Sequence, residues 1–164
     1  MKWKSLNIIL LALAICCSCQ EKIVHRYCAV DSQNWQPSYK ARFHITDIKE
    51  KGNYQMTAEV RLDKHYPYRE LWLVVETETS RGAHYSDTLC MDVVGEAGQL
   101  DGEGRNIMTY TAPVRKLPLQ DTDTVDICIH HCLSNASVPG IHDVGFLLEP
   151  SASTFSRPSK SKPQ

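Results

Sequence analysis

The sequence predicts an all-β fold, a single antiparallel β-sandwich of the Ig-like or jelly-roll-like kind with about seven strands. Three observations predict it. Tyr54, Met56, Ala58, Val60 and Leu62 alternate with Gln55, Thr57, Glu59 and Arg61, a period of two that puts every second side chain on a buried face. Leu71-Trp72-Leu73-Val74-Val75 is apolar on both faces, as a mid-sheet strand is, before Glu76-Thr77-Glu78-Thr79 leads out into solvent. Turn-forming stretches recur about every ten residues, and no segment carries a convincing helical stripe.

In chain order, the first element lies outside the sandwich. Lys2 and Lys4 precede apolar residues 8–15, and Cys16-Cys17-Ser18-Cys19 closes the stretch, which is the order of a secretory signal over residues 1–18. Polar Ser18, Gln20, Glu21 and Lys22 arrive well before the roughly 20 apolar residues that a transmembrane helix needs. A lipoprotein signal ends at a thiol that is diacylated and then becomes the first residue. Cys19 fits that role: Ser18 is the small residue wanted before the cut, whereas Cys16 follows bulky Ile15 and Cys17 leaves further cysteine behind it. Cys16 replaces the leucine usual three positions upstream. Two or three acyl chains, palmitate among them, exceed the single chain that gives only marginal binding, so Cys19 is expected to anchor the chain in a lipid bilayer permanently.

Residues 19–40 read as the lipidated N-terminus and a spacer, mixing charge, Pro37 and polar residues without a period. Strand candidates follow at 41–48, 54–62, 71–79, 84–94, 106–114, 124–133 and 145–149, punctuated by Gly52-Asn53, Ser80-Arg81-Gly82, residues 95–104 and residues 118–122. The β-sandwich domain is therefore residues 41–149. Residues 150–164, rich in Ser, Pro and Lys, have almost nothing to bury and are expected to be a disordered tail.

Loss of residues 1–18 from 164 leaves 146, the size of one domain that buries a core without staples. Without Lys2 and Lys4, 16 basic groups stand against 19 acidic ones, a net charge of −3 that argues against nucleic acid as a partner.

Cys128, His130, His131 and Cys132 first suggest a metal site. On a strand, His131 faces one way with Val125, Ile127, Ile129 and Leu133, while Cys128, His130 and Cys132 face the other. Residues four apart stand about 13 Å apart, beyond the roughly 7 Å limit of a disulfide and awkward for one ion. The second ligand pair of a structural zinc site is missing, so no metal is assigned. Cys28, Cys90, Cys128 and Cys132 either pair in an oxidising compartment, in one of three ways, or are small buried residues. No Gly-x-Ser-x-Gly, His-Glu-x-x-His or Walker pattern occurs; no catalytic residue or cofactor is assigned, and the chain is read as non-enzymatic.

Trp35, Tyr66, Tyr68, Trp72 and Tyr85 offer stacking faces for a glycan. Trp72 lies in the most apolar strand and reads as core, and Tyr66-Pro67-Tyr68 reads as a rigid strand entry. Asn135-Ala136-Ser137 matches a glycosylation acceptor formally, without meaning behind a bacterial lipoprotein leader.

Several segments in order resemble the gliding-motility lipoprotein GldH family of the Bacteroidetes. They are Tyr66-Pro67-Tyr68 with Leu71-Trp72-Leu73, Asp87-Thr88-Leu89, and Pro139-Gly140-Ile141-His142-Asp143-Val144-Gly145-Phe146, together with the leader and the length. The family's glycine-spaced turn carries a Trp that Gly98-Gln99-Leu100-Asp101-Gly102-Glu103-Gly104 lacks, and Cys132-Leu133-Ser134 stands where the family carries a methionine and a basic residue. The resemblance implies an envelope component associated with gliding and protein secretion, with no catalytic residues to carry over. Physically, Pro139-Gly140 makes a turn, Asp143 is expected to accept from amides there, and the set reads as a fold signature.

These readings converge on a membrane-anchored, non-enzymatic lipoprotein acting as a subunit of a cell-envelope complex, in the inner or outer membrane and facing the periplasm or the exterior. Its partners are the bilayer, through acylated Cys19, and other envelope proteins. The alternative is a carbohydrate- or surface-ligand-binding lipoprotein.

Overall fold

The computed structural model describes residues 24–133 and 137–151. The leader over 1–18, the lipid residue Cys19, the tail beyond 151 and the Asn135-Ala136 pair lie outside them. Among the described residues the chain forms β1 (Val24–Ala29), β2 (Asn34–Trp35), β3 (Ala41–Ile45), β4 (Gly52–Leu62), β5 (Glu70–Thr79), β6 (His84–Asp92), β7 (Glu103–Gly104), β8 (Met108–Leu119), β9 (Val125–His131), β10 (Val138–Pro139) and β11 (Ile141–Pro150). A single 3-10 turn, Asp31–Gln33, joins β1 to β2.

The strands stack as two antiparallel sheets, a five-stranded one in the order β1-β11-β4-β8-β7 and a four-stranded one in the order β3-β9-β5-β6, with a small β10-β2 ribbon beside them. The all-β sandwich is thus observed, with more strands than the seven expected. The alternating residues of β4 face inward from Tyr54 to Leu62, all of them buried. They meet Phe43 and Ile45 of β3, Leu71, Leu73 and Val75 of β5, and Ile127 and Ile129 of β9, all buried. Phe43 and Phe146 cross between the sheets edge to face, with ring centroids 5.0 Å apart. Each such side chain contributes about 1.5–3 kcal/mol on leaving water.

β5 lies mid-sheet between β9 and β6, as its two-faced apolarity predicts. Its far end does not emerge as a whole. Glu76 and Glu78 face outward, but Thr77 and Thr79 are buried inward, and the strand stays paired with β9 as far as Thr79.

Two boundaries move. The segment expected as a spacer over 19–40 folds from Val24 onward: β1 pairs along β11 from Val24↔Leu148 to Ala29↔Asp143, and Trp35 is fully buried. As an edge strand, β1 buries deeply only Val24, so its sequence carries no strong alternation. β8 runs past its expected end at 114 to Leu119, through Pro113 and Pro118. Beyond the two-residue β7 it has an open edge, where a proline lacks no ladder partner, and a register shift opposite Met56/Thr57 absorbs Val114.

Side chains tie the layers at their rims. Arg115 of β8 donates two hydrogen bonds to Asp87 of β6, at 2.6 and 2.7 Å, with its guanidinium 3.9 Å over the Tyr85 ring. Tyr110 of β8 donates to the Val93 carbonyl at 2.9 Å, and Arg81 bridges Asp123 and the Pro118 carbonyl.

Candidate functional site

The outer face of the four-stranded sheet carries Cys128, His130 and Trp72 among the side chains whose chemistry the sequence singled out. Period two turns Trp72, Val74, Glu76 and Glu78 of β5 outward. Register then sets them in rows: His44, Asp126, Glu78 and His84 cross the sheet in one, and Arg42, Cys128, Glu76 and Ser86 in the next. Apart from Ser86, these rows line a shallow depression of about 380 Å³. At its rim His44 Nδ1 lies 2.7 Å from an Asp126 oxygen, an exposed pair.

The second row and His130 beside it form a more buried cluster. Lys40 Nζ lies 3.5 Å from a Glu76 carboxylate oxygen. Burial pushes Glu76 up, but Lys40, the Cys128 thiol and His130 outweigh it and hold the carboxyl below its ordinary value. Burial raises the Cys128 thiol against the pull of Arg42. Burial, with Lys40 next, lowers His130, whose Nδ1 is buried and has no hydrogen-bond partner. The sequence had placed Cys128 and His130 on one face; Glu76, which completes the group, comes from the neighbouring strand and no local spacing announces it.

All four described cysteines are free. Geometry forbids the nearest pairing: Cys90 stands opposite Trp72 on β6, and the Cys132 amide bonds to the Trp72 carbonyl from the other side, so the two are separated by two strand spacings, about 10 Å. Cys28 belongs to the other sheet, where its thiol meets the Tyr39 hydroxyl at 2.8 Å and that contact, with burial, pushes the phenol up to about 12.

The aromatic candidates separate sharply. Trp35, offered as a stacking face, is fully buried, its indole N–H donating to the Tyr39 carbonyl at 2.9 Å and its ring set edge-on against His131. Tyr85 already carries Arg115 on its face. Tyr66 is buried, as a strand entry requires. Trp72, expected in the core, is instead 40% exposed on the open face, with its N–H on Glu70 at 2.9 Å. A run apolar on both faces does not say which of its residues turns inward, and Leu71 and Leu73 took that side.

Two of the segments that carried the family resemblance, Tyr66-Pro67-Tyr68 and the stretch from Pro139, meet at one end of the sandwich. Gly140, at φ +81°, packs so closely that a Cβ there would lie 2.4 Å from the Tyr66 backbone nitrogen, and its carbonyl accepts from the Asp63 amide at 2.9 Å. Asp63 binds the His65 amide at 2.8 Å and stands 3.0 Å from the rings of both His65 and His142. Burial works against that carboxyl, but His142 and His65 hold it down at about 2. Asp143, expected to accept from turn amides, pairs instead with Arg61 at 3.4 Å. Asp63, which the sequence reading passed over, occupies that role. This end of the molecule is built to close a turn.

The family profile of the GldH lipoproteins matches residues 22–148, which takes in every described strand but the last two residues of β11. The chain belongs to the GldH lipoprotein family. The Gliding motility lipoprotein GldH of Flavobacterium johnsoniae is 26% identical over 157 residues, covering 91% of this chain and 98% of that protein. Among solved structures, the Eiger TNF structure from S. frugiperda aligns with 85% of this chain and 99% of its own, at a TM-score of 0.38 and 5% identity.

Proposed function

We propose that this GldH-family chain is a non-enzymatic subunit of a gliding- and secretion-related complex of the cell envelope. In this reading it is tethered by acyl chains on Cys19 and docks a partner protein on the outer face of its four-stranded sheet. One observation carries the docking: the central strand presents Trp72, 40% exposed, where a solvated sheet face would carry a polar residue. Tryptophan is the side chain most enriched among residues that dominate interface energy. The gliding context rests on the Flavobacterium johnsoniae relative, aligned along nearly its whole length.

The test is in cells. Radiolabelled palmitate is expected on the full chain and absent from Cys19→Ala, and crosslinked envelope proteins are expected to co-purify with the full chain but to be lost with Trp72→Ser. Label retained by Cys19→Ala overturns the tether, and the same partners recovered with Trp72→Ser overturn the docking face.

A further inference from the structure

Two strands bring three different metal-binding donors together on the open face. Cys128 and His130, two residues apart on β9, share that face, and Glu76 stands directly opposite Cys128 on β5. One Glu76 oxygen, the Cys128 sulfur and one ring nitrogen of His130 all lie within 4.8 Å of one another. Thiolate, imidazole and carboxylate are the donors zinc takes, at about 2.3, 2.0–2.1 and 2.0–2.2 Å, so small side-chain movements close the set around one ion. We propose that Glu76, Cys128 and His130 bind one divalent cation of the zinc class, leaving its fourth position open to water or to a group from a docked partner.

The surroundings fit that role. His130 Nδ1 is a buried polar atom with no hydrogen-bond partner, one of five among the described residues and the only one of them carried by this cluster. The formal charges balance, because a thiolate and a carboxylate cancel a divalent ion. Without a cation the Lys40 ammonium partners Glu76, and being 37% exposed on a flexible stem it can swing aside. On binding, the S–H bond of Cys128 breaks, its proton goes to solvent and a sulfur–metal bond forms, with no change of oxidation state. A second cluster, Glu70, Cys90 and Asp92, consists of three exposed residues and has no orphaned donor; it serves as a control.

The test uses the full chain, purified in detergent under reducing conditions, and cobalt(II) as the probe. Expected are one equivalent bound, a near-ultraviolet thiolate-to-cobalt band and displacement by zinc. Cys128→Ser abolishes the band and Cys90→Ser leaves it. Glu76→Gln and His130→Ala each weaken binding more than about tenfold, the loss that even outer-shell partners of a metal produce. Lys40→Met tightens it about two- to fivefold, the worth of a half-exposed ion pair, a gain that misfolding cannot imitate. Binding strengthens about tenfold per pH unit near neutrality, since one thiol proton leaves for each ion bound. No charge-transfer band, a band surviving in Cys128→Ser, or unchanged affinity in both Glu76→Gln and Lys40→Met overturns the proposal. Docking through Trp72 is read separately, by crosslinking, and stands or falls without the metal.

Discussion

The two outer faces of this sandwich differ in how completely they satisfy themselves. On the five-stranded sheet, Tyr27 of β1 lies across Gly145 of β11 and donates its hydroxyl to Glu59 of β4, which His25 approaches at 2.7 Å from the same strand as Tyr27. Arg61 covers the Tyr27 ring at 4.9 Å and reaches Asp143. The result is a polar residue, Glu59, that is 6% exposed on what should be a wet surface. On the four-stranded sheet, Trp72 is 40% exposed to solvent and an imidazole nitrogen of His130 is buried without a partner. A face that has spent its donors and acceptors on itself holds the fold; a face that has not is free to hold something else.

The largest way to break this contrast is at Gly145. A Cβ there would lie 2.5 Å from both the Arg26 carbonyl and the Tyr27 ring, so Gly145→Val is expected to cost about 3 kcal/mol by overpacking and to expel Tyr27 from Glu59. A drop in urea midpoint with unchanged m checks it. Tyr27 itself gives a pH signature. Burial, then the bond to Glu59, raises its phenol from 10.0 to about 12. A group raised on folding stabilises fully below its unfolded value and loses that contribution as pH climbs through its folded one. Between pH 10 and 12 the native chain should therefore lose about 2 kcal/mol more than Tyr27→Phe, read as the difference between their denaturation curves. The smallest effect belongs to the open face. Trp72→Ser is expected to lower stability by about 1 kcal/mol, the span of side-chain preference at a strand position, while removing the crosslinked partner.

The same contrast separates what the sequence discloses from what it conceals. β4 was legible because Tyr54 to Leu62 alternate strictly, and the mid-sheet place of β5 because Leu71 to Val75 leave neither face polar. β1 was not, since an edge strand with one deeply buried side chain has no period to read. Pro113 and Pro118 look like terminators until β8 is known to have an open edge. The cluster of Glu76 with Cys128 and His130 depends on the pairing of β5 with β9, 52 residues apart at Glu76↔Cys128, and nothing local encodes that register. The family residues fared differently: Gly140 and Tyr66 are far apart in sequence, and the resemblance alone joined them before the backbone contact explained why.

The early start of β1 has a geometric consequence. Val24 is five residues beyond Cys19, a leash of about 18 Å even fully extended. With lipid on Cys19, the end of the sandwich that holds Val24, the Ser80–Gly82 turn and Pro118 rides against the headgroups. Trp72 lies seven residues up β5 from Thr79, about 23 Å farther from the bilayer. On the proposed tether the domain would behave less like a float on a long line than like a short post, holding Trp72 within a limited range of heights above the bilayer.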